Sequence, residues 1–449
     1  VNRALAAGLF FPLQELLKRK PTLRVLREVR ATEGWSASRV AALQEERVAA
    51  ALRDAAATPY YAERFRAAGV APDDFRALPD LARFPFLTRE DLRRRRDDLL
   101  HPARRSGLKL LATGGSTGEP VRVWACPLRV AHTDAARLRA RAWWGIRIGD
   151  PEVVFWASPL ELGAQDRLRA WRDRLLNSTL VSAFHLTPAS LDAAADTMAR
   201  AGAVQLYGYA GSLALFARHL LRTGRRRPAP ALRATFTTAE PLPEPDRAAL
   251  AEALGAPVGV EYGARDAGLL AHECPARGLH VMAESVHVEI VRDGRPVAPG
   301  ERGEVVVTHL RSPAFPLIRY RTGDLAALRP GPCPCGRALP VLEPVEGRTA
   351  DCLVGVDGRV VHALGAIYPL RELSGVRRFQ VEQVGPRELV VRIEREAGFA
   401  DDALPRVREQ LERLLGGPVE VRFEFPGEIA AAASGKHRYV IRRVPLEPS

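Results

Sequence analysis

Between residues 153 and 271, short apolar runs alternate with stretches whose apolar positions recur at helical spacing. Residues 153–157, 204–207, 234–238 and 258–262 read as strands, separated by helices near 164–176, 189–201, 211–223 and 244–254. Such alternation predicts an α/β fold with a mostly parallel sheet covered by helices on both faces. Ligands of such sheets sit beyond the carboxyl ends of the strands, where Thr238-Ala239-Glu240-Pro241 and Glu261-Tyr262-Gly263-Ala264-Arg265-Asp266 fall. Upstream, residues 4–17 predict a helix, as do 36–57 behind a Ser36 or Ser38 cap, 88–100, and 130–144. Thr58-Pro59-Tyr60-Tyr61 breaks the second of these. From residue 286 the pattern turns to strands, with 286–291 and 303–308 expected to pair across Asp293-Gly294. Beyond residue 347 come strands at 359–362, 378–384, 388–394 and 419–425 and a helix at 402–415, a small α+β domain. The expected domains are therefore 1–347, with its β-rich subdomain, and 348–449.

The chain has 449 residues, 47% of them hydrophobic and 27% charged, with a net charge of +13. That suits a soluble protein of at least two domains. Its arginines are scattered, and the runs 93–96 and 225–227 lack interleaved aromatics, so they predict a solvated surface and no nucleic-acid partner. Of 66 basic residues only Lys18, Lys20, Lys109 and Lys436 are lysine. Lys436 is the one placed as though an ammonium were required. No apolar run reaches membrane-span length, and residues 4–17 end in Lys18-Arg19-Lys20 instead of a cleavage site, so no membrane partner and a cytoplasmic location are expected. Five cysteines, an odd number, do not make a disulfide framework.

Residues 110–120 read as a short strand entering a glycine and hydroxyl loop, Thr113-Gly114-Gly115-Ser116-Thr117-Gly118-Glu119-Pro120. Three glycines let backbone N–H groups converge on an anion, and the hydroxyls add donors suited to a triphosphate. It is not a Walker A loop, because Pro120 returns the chain to extended structure where that motif has Gly-Lys-Ser/Thr opening a helix. A plain turn is the commoner meaning of such a loop taken alone.

With the later motifs in order, Tyr320-Arg321-Thr322-Gly323-Asp324, Gly347-Arg348 and Ser434-Gly435-Lys436, the chain resembles the adenylate-forming superfamily. Within it the resemblance is to the phenylacetate-CoA ligase family and its CapK-like relatives, over residues 20–445. The resemblance implies a large N-terminal adenylate-forming domain and a small mobile C-terminal domain carrying a catalytic lysine. It implies that the loop from Thr113 to Glu119 holds the β- and γ-phosphates of ATP. Ala239, Glu240 and Pro241 would border the adenine and Tyr262, followed by Gly263, would stack on it. Asp324 would take the ribose hydroxyls with Arg348 beside it, and Asp266 would ligate Mg²⁺. Lys436 would bridge the acyl carboxylate and the α-phosphate. The chemistry asks for such groups on its own account, since two anions must approach one another and an ammonium plus Mg²⁺ lowers their repulsion. Lysine, a compact point charge, suits that better than arginine's planar fork. Three departures stand out: Asp266 replaces the family's glutamate, Ala350 stands at the usual acidic hinge, and residues 355–360 lack the fuller glycine pattern of CoA ligases. Adenylation is thus carried by more of the motif residues than thioester formation is.

By family position the acyl pocket would comprise Trp156, Tyr207, Gly208, Tyr209, Ala264 and Arg265, with His185 near a polar substituent. Aromatics there suit an aryl acid, although rings at strand ends also serve as plain core. Cys274, His280, Cys333 and Cys335 form a closed four-ligand set of the kind that holds structural zinc, with His272 as a substitute ligand and buried free thiols as the alternative. Cys126 and Cys352 read as core. The expected activity is ATP-dependent formation of an acyl-adenylate from a carboxylic acid, then transfer to a thiol, CoA first among acceptors. The alternatives are a carrier-protein thiol or an amine as acceptor, and, from another class, a nucleotide- or nucleic-acid-binding protein without catalysis. A monomer or homodimer is expected.

Overall fold

The computed structural model describes residues 1–112, 121–156, 166–183, 186, 188–345, 352–357, 360–362, 364–371, 373–396, 398–429 and 439–444. The chain divides into two compact units, the first running to Glu346 and the second from Gly347.

The first unit opens with a helical stretch, a π-turn at Ala6–Phe10 leading into α1 (Phe11–Leu17), followed by α2 (Thr22–Ala31) and α3 (Ala37–Ala56). Helix α3 starts where Ser36 accepts a hydrogen bond from the Arg39 N–H, and it buries Val40, Gln44, Val48, Ala51, Leu52 and Ala55 along one stripe. Thr58 caps α4 (Pro59–Ala68), with Pro59 in its first turn, and Gly69 at φ 64° closes it. Helix α5 (Arg89–Arg94) is shorter than the 88–100 expected from sequence. The chain leaves the helix at Arg95 and passes through a short 3₁₀ turn, Asp97–Leu99. That departure lets Leu92, Leu99 and Leu100 all enter the core. Strands β1 (Lys109–Ala112) and β2 (Arg122–Ala125) form an antiparallel pair flanking the undescribed glycine loop.

Helix α6 (Pro127–Ala142) packs on α2 through Val25, Leu26, Val29, Ala131 and Ala135. The sheet then builds from β3 (Glu152–Phe155), β4 (Ser178–Val181), β5 (Gln205–Tyr209), β6 (Ala234–Thr238) and β7 (Val258–Ala264). Four helices intervene, α7 (Asp166–Leu175), α8 (Pro188–Ala201), α9 (Ala210–Thr223) and α10 (Glu244–Leu254). β4, β3, β5, β6 and β7 are all parallel. β8 (Gly268–Glu273) and β9 (Leu279–Val281) extend the sheet antiparallel, an extension that the alternating pattern does not predict.

β10 (Val286–Arg292) pairs with β12 (Gly303–His309) as expected, but not through the Asp293-Gly294 turn. That turn, both residues at positive φ, closes a tight hairpin to the two-residue strand β11 (Arg295–Pro296). β13 (Tyr320–Ala326) completes this four-stranded sheet, and β14 (Val341–Leu342) returns to the edge of the eight-stranded one at β9.

The arginines are not all solvated. Arg129, Arg139 and Arg319 are among the largest fully buried side chains. Arg319 holds Glu289 and the carbonyls of Ala82 and Phe84, while Arg139 holds Glu284 and the Val29 carbonyl. Partner groups buried with them repay their desolvation, which periodicity cannot reveal.

In the second unit β15 (Cys352–Val354) pairs with β16 (Val360–His362), followed by α11 (Leu364–Arg371). A four-stranded sheet combines β17 (Val376–Gly385), β18 (Glu388–Arg395), β19 (Glu420–Glu424) and β20 (Val440–Arg442). Helix α12 (Leu404–Leu415) buries Val407, Leu411 and Leu415 in this unit's own core.

Candidate active site and metal centre

Trp156, Tyr209, Ala239 and Tyr262 all lie at the carboxyl end of the parallel strands. Trp156 stacks on Tyr209 with ring centroids 4.4 Å apart and on Tyr207 at 5.8 Å. Gly208 between the tyrosines has no room for a Cβ, which would lie 2.7 Å from the Phe155 carbonyl oxygen. The Tyr207 hydroxyl donates to Glu261 Oε1 at 2.8 Å, and Arg137 grips the same carboxylate through two hydrogen bonds of 2.7 and 2.8 Å. Burial by itself would raise the Glu261 pKa, but the Arg137 charge and hydrogen bonds outweigh it and bring it to about 2. Ala239 adopts φ 67°, a left-handed conformation unusual for alanine, and the next residue, Glu240, accepts from the Gly211 N–H at 2.7 Å. The backbone strain therefore sits at the residue expected to border the adenine. Ala264 ends β7 and Arg265 is exposed in the turn to β8.

Tyr262, Asp266 and Asp324, called separately from sequence, come together. The Tyr262 hydroxyl donates to Asp324 Oδ2 at 2.8 Å, and the Tyr320 hydroxyl donates to Asp266 Oδ2 at 2.5 Å. Burial raises the Asp324 pKa to about 6, against the lowering influence of the Tyr262 hydrogen bond and the Arg89 charge. Asp266 is 1% exposed, and its Oδ1 has no hydrogen-bond partner among the described residues. A buried carboxylate oxygen left free is what a divalent cation takes, so the residues present fit Mg²⁺. Gly263 is required here because a Cβ would meet the Gly268 carbonyl at 2.6 Å. Thr113 to Glu119, Arg348 and Lys436 lie outside the described residues, as does His185.

The four predicted metal ligands also meet. One ligand atom from each of Cys274, His280, Cys333 and Cys335 lies within 4.8 Å of all the others. Cys274 and Cys333 are 3.8 Å apart at sulfur, and His280 Nε2 is 3.1 Å from Cys335 Sγ. The other ring nitrogen, Nδ1, is 3.2 Å from the Leu339 carbonyl, which fixes the ring with Nε2 inward. Arg277 and Gly336, both at positive φ, form the tight turns after Cys274 and Cys333. Three thiols and an imidazole, closed and mostly buried, fit a tetrahedral zinc ion. His272 is not part of this set. It packs edge-on against Phe236 and Trp143.

The C-terminal domain of CapK matches residues 353–443. The phenylacetate-coenzyme A ligase of Escherichia coli strain K12 is 29% identical over 350 residues, covering 72% of this chain and 74% of its own. That of Thermus thermophilus is 28% identical over 432 residues, covering 89% and 96%. Protein CapK of Staphylococcus aureus is 21% identical over 82% of this chain and 81% of its own. A 2-hydroxyisobutyryl-CoA ligase, solved with 2-HIB-AMP and CoA in its thioesterification state, shares the fold at TM-score 0.63 and 22% identity, covering 92% of this chain and 91% of the other. Over most of its length the chain is similar to the phenylacetate-coenzyme A ligases.

Several residues of the candidate site carry no signal in the sequence. Arg89 comes from the capped start of α5 to within 4.0 Å of Asp266 Oδ2. Arg137 lies on α6, among arginines read as surface. Tyr320 and Glu261 stand inside stretches singled out for their neighbours Asp324 and Tyr262. A period-2 reading of β13 places Tyr320 inward, since it is buried while Arg321 is exposed, and that was the one clue available.

Proposed function

We propose that this protein is an AMP-forming acid–thiol ligase. In the first step a carboxylate oxygen attacks the α-phosphorus of ATP, forming the acyl–phosphate bond as the bond to pyrophosphate breaks. In the second, a thiolate attacks the acyl carbonyl carbon and AMP leaves, the thiol's proton passing to solvent. The observation that carries the reading is the convergence of Tyr262, Asp324 and Asp266 at the end of β7, with one Asp266 oxygen buried and free. Tyr262 and Asp324 would seat the nucleoside, and Asp266 would hold the Mg²⁺ that neutralises the phosphates. Lys436, on the same reading, approaches the α-phosphate. Because it lies in the smaller expected domain, 348–449, rotation of that domain would admit it for adenylation and withdraw it for thiolysis. The stacked Trp156, Tyr207 and Tyr209 favour an aryl acid, CoA is the acceptor in line with the relatives, and the cysteine–histidine set holds structural zinc.

Pyrophosphate exchange into ATP across a panel of aryl and aliphatic acids tests the first step with CoA omitted. The expected result is acid-dependent exchange that Lys436→Ala abolishes. CoA added afterwards should consume the adenylate as a thioester. Exchange that is present while CoA goes unused would transfer the second step to another thiol or to an amine. No exchange with any acid, in a protein that binds ATP, would refute the assignment.

A further inference from the structure

Two of the chain's four lysines, Lys18 and Lys20, meet in one cavity of about 390 Å³ in the first unit, among α1, α6, α7 and the β3–β4 edge of the sheet. None of Tyr262, Asp266 or Asp324 lines it, and Trp156 is the one acyl-pocket residue that reaches it. Its volume falls within the range of small-molecule sites, roughly 300–1,000 Å³.

Seven basic side chains line the cavity against five carboxylates. The carboxylates are already occupied. Lys20 binds both Glu15 and Asp134, at 3.0 and 2.5 Å, while Glu152 is held by Arg141, Asp173 by Arg172 and Asp150 by Arg3. Lys18, Arg30 and Arg147 line the same space with no carboxylate partner among the described residues. Burial, then the neighbouring charges of Arg172 and Lys20, hold the Lys18 pKa below its ordinary value, as expected where cations crowd without counterions. At the floor, Gln205 is 5% exposed and its amide oxygen has no hydrogen-bond donor among the described residues; Arg141 Nε, 8% exposed at the residue level, is likewise unpartnered. Unpaired polar atoms that deep are costly unless something supplies the missing bonds.

We infer that this cavity binds a small hydroxylated anion, its charge on Lys18 and Arg147 and a hydroxyl donated to the Gln205 amide oxygen. A carboxylate or a phosphate meets the electrostatic half equally well, and the hydroxyl is what Gln205 adds. The site borders the candidate active site through Trp156 and Arg137 but uses none of Tyr262, Asp266 or Asp324, and it does not depend on the ligase assignment.

Isothermal titration of the full chain at low salt tests this with four probes: glucose 6-phosphate, gluconate, uncharged glucose and inorganic phosphate. Saturable binding of glucose 6-phosphate or gluconate is expected, and which of them binds more tightly identifies the anion. Glucose and inorganic phosphate should bind at least about tenfold more weakly, each lacking one half of the recognition. Lys18→Glu and, independently, the exposed Arg147→Glu should each weaken the charged sugar about tenfold or more, with ATP affinity and tryptophan fluorescence unchanged. Gln205→Leu should weaken it while leaving inorganic phosphate unaffected. Three results would overturn the inference: no saturable binding of either charged sugar, binding indifferent to Lys18 and Arg147, or displacement of the sugar by ATP.

Discussion

Replacing Glu261 by glutamine removes one charge from a pair that the fold has nearly enclosed, and the cost can be worked in two ways. Glu261 is 4% exposed and its pKa falls from an ordinary 4.5 to about 2 beside Arg137. That displacement corresponds to about 3 kcal/mol of folding stability at neutral pH. It is present above pH 4.5 and is lost as the pH falls from there through 2, because a depressed carboxylate pKa favours the ionised folded form. Breaking a buried pair from one side costs about 3–5 kcal/mol. The Arg137 side chain keeps 28% exposure, so water can partly solvate the stranded guanidinium and the lower end applies. Both routes give about 3 kcal/mol for Glu261→Gln. All six tryptophans lie between residues 35 and 171, so urea unfolding followed by tryptophan fluorescence reports on the first unit alone. Arg137→Met combined with Glu261→Met should be at least about 2 kcal/mol more stable than the two single losses summed, since neither charge is then stranded. A Gln variant within about 1 kcal/mol of the parent, or a cycle that simply adds, would refute the reasoning.

Gly278→Ala would place a Cβ 2.6 Å from Cys333 Sγ and 3.2 Å from His280 Nε2; if zinc occupies the set, metal content of the purified protein should drop and chelator should no longer lower its melting temperature as it does in the parent. His132 and His309 are buried, the first with a pKa brought to about 2 by burial and then by Arg311 and Arg47, the second well below its usual value for the same chief reason. The unfolded chain takes up protons near pH 6.5 that these rings refuse, so stability should fall below that pH by up to about 1.4 kcal/mol per pH unit for each, partly offset by Asp324 between pH 6 and 4, and His132→Asn should make the denaturation slope shallower. On the proposed reading Asp324 accepts ribose hydroxyls more strongly ionised than protonated, so ATP affinity measured by calorimetry should weaken below pH 6 by up to about tenfold per unit, with Asp324→Asn flattening the profile.

The parallel core was legible because β3, β5, β6 and β7 are short apolar runs between helices of ordinary length, and β6 is buried at every position. The antiparallel extension was not, because β8 and β9 carry His272, Glu273 and His280, polar residues that look exposed in a sequence. Glu273 is buried because it accepts from the Val260 N–H and binds Arg247, partners contributed by another strand and another helix. Helix α2 escaped for a different reason: it buries a narrow stripe, Val25, Leu26 and Val29, within an otherwise arginine-rich segment. The site divides the same way. Motif residues such as Tyr262, Asp266 and Asp324 were visible through the family resemblance, whereas Arg89, Arg137 and Tyr320 act through contacts 54 to 177 positions away in the chain.

Lys18 and Lys20 are two residues apart, yet they differ as nucleophiles. Burial works against the Lys20 ammonium, but Asp134 and Glu15 more than compensate and raise its pKa, so it keeps its proton and has no lone pair to offer. Lys18, with its pKa lowered, spends more of its time as a free amine. An acyl-adenylate escaping the active site is an anhydride that acylates amines and leaves protonated guanidinium groups alone. In a chain with four lysines and an abundance of arginine, self-acylation therefore has few targets, and of these two neighbours Lys18 is the one that would carry the adduct.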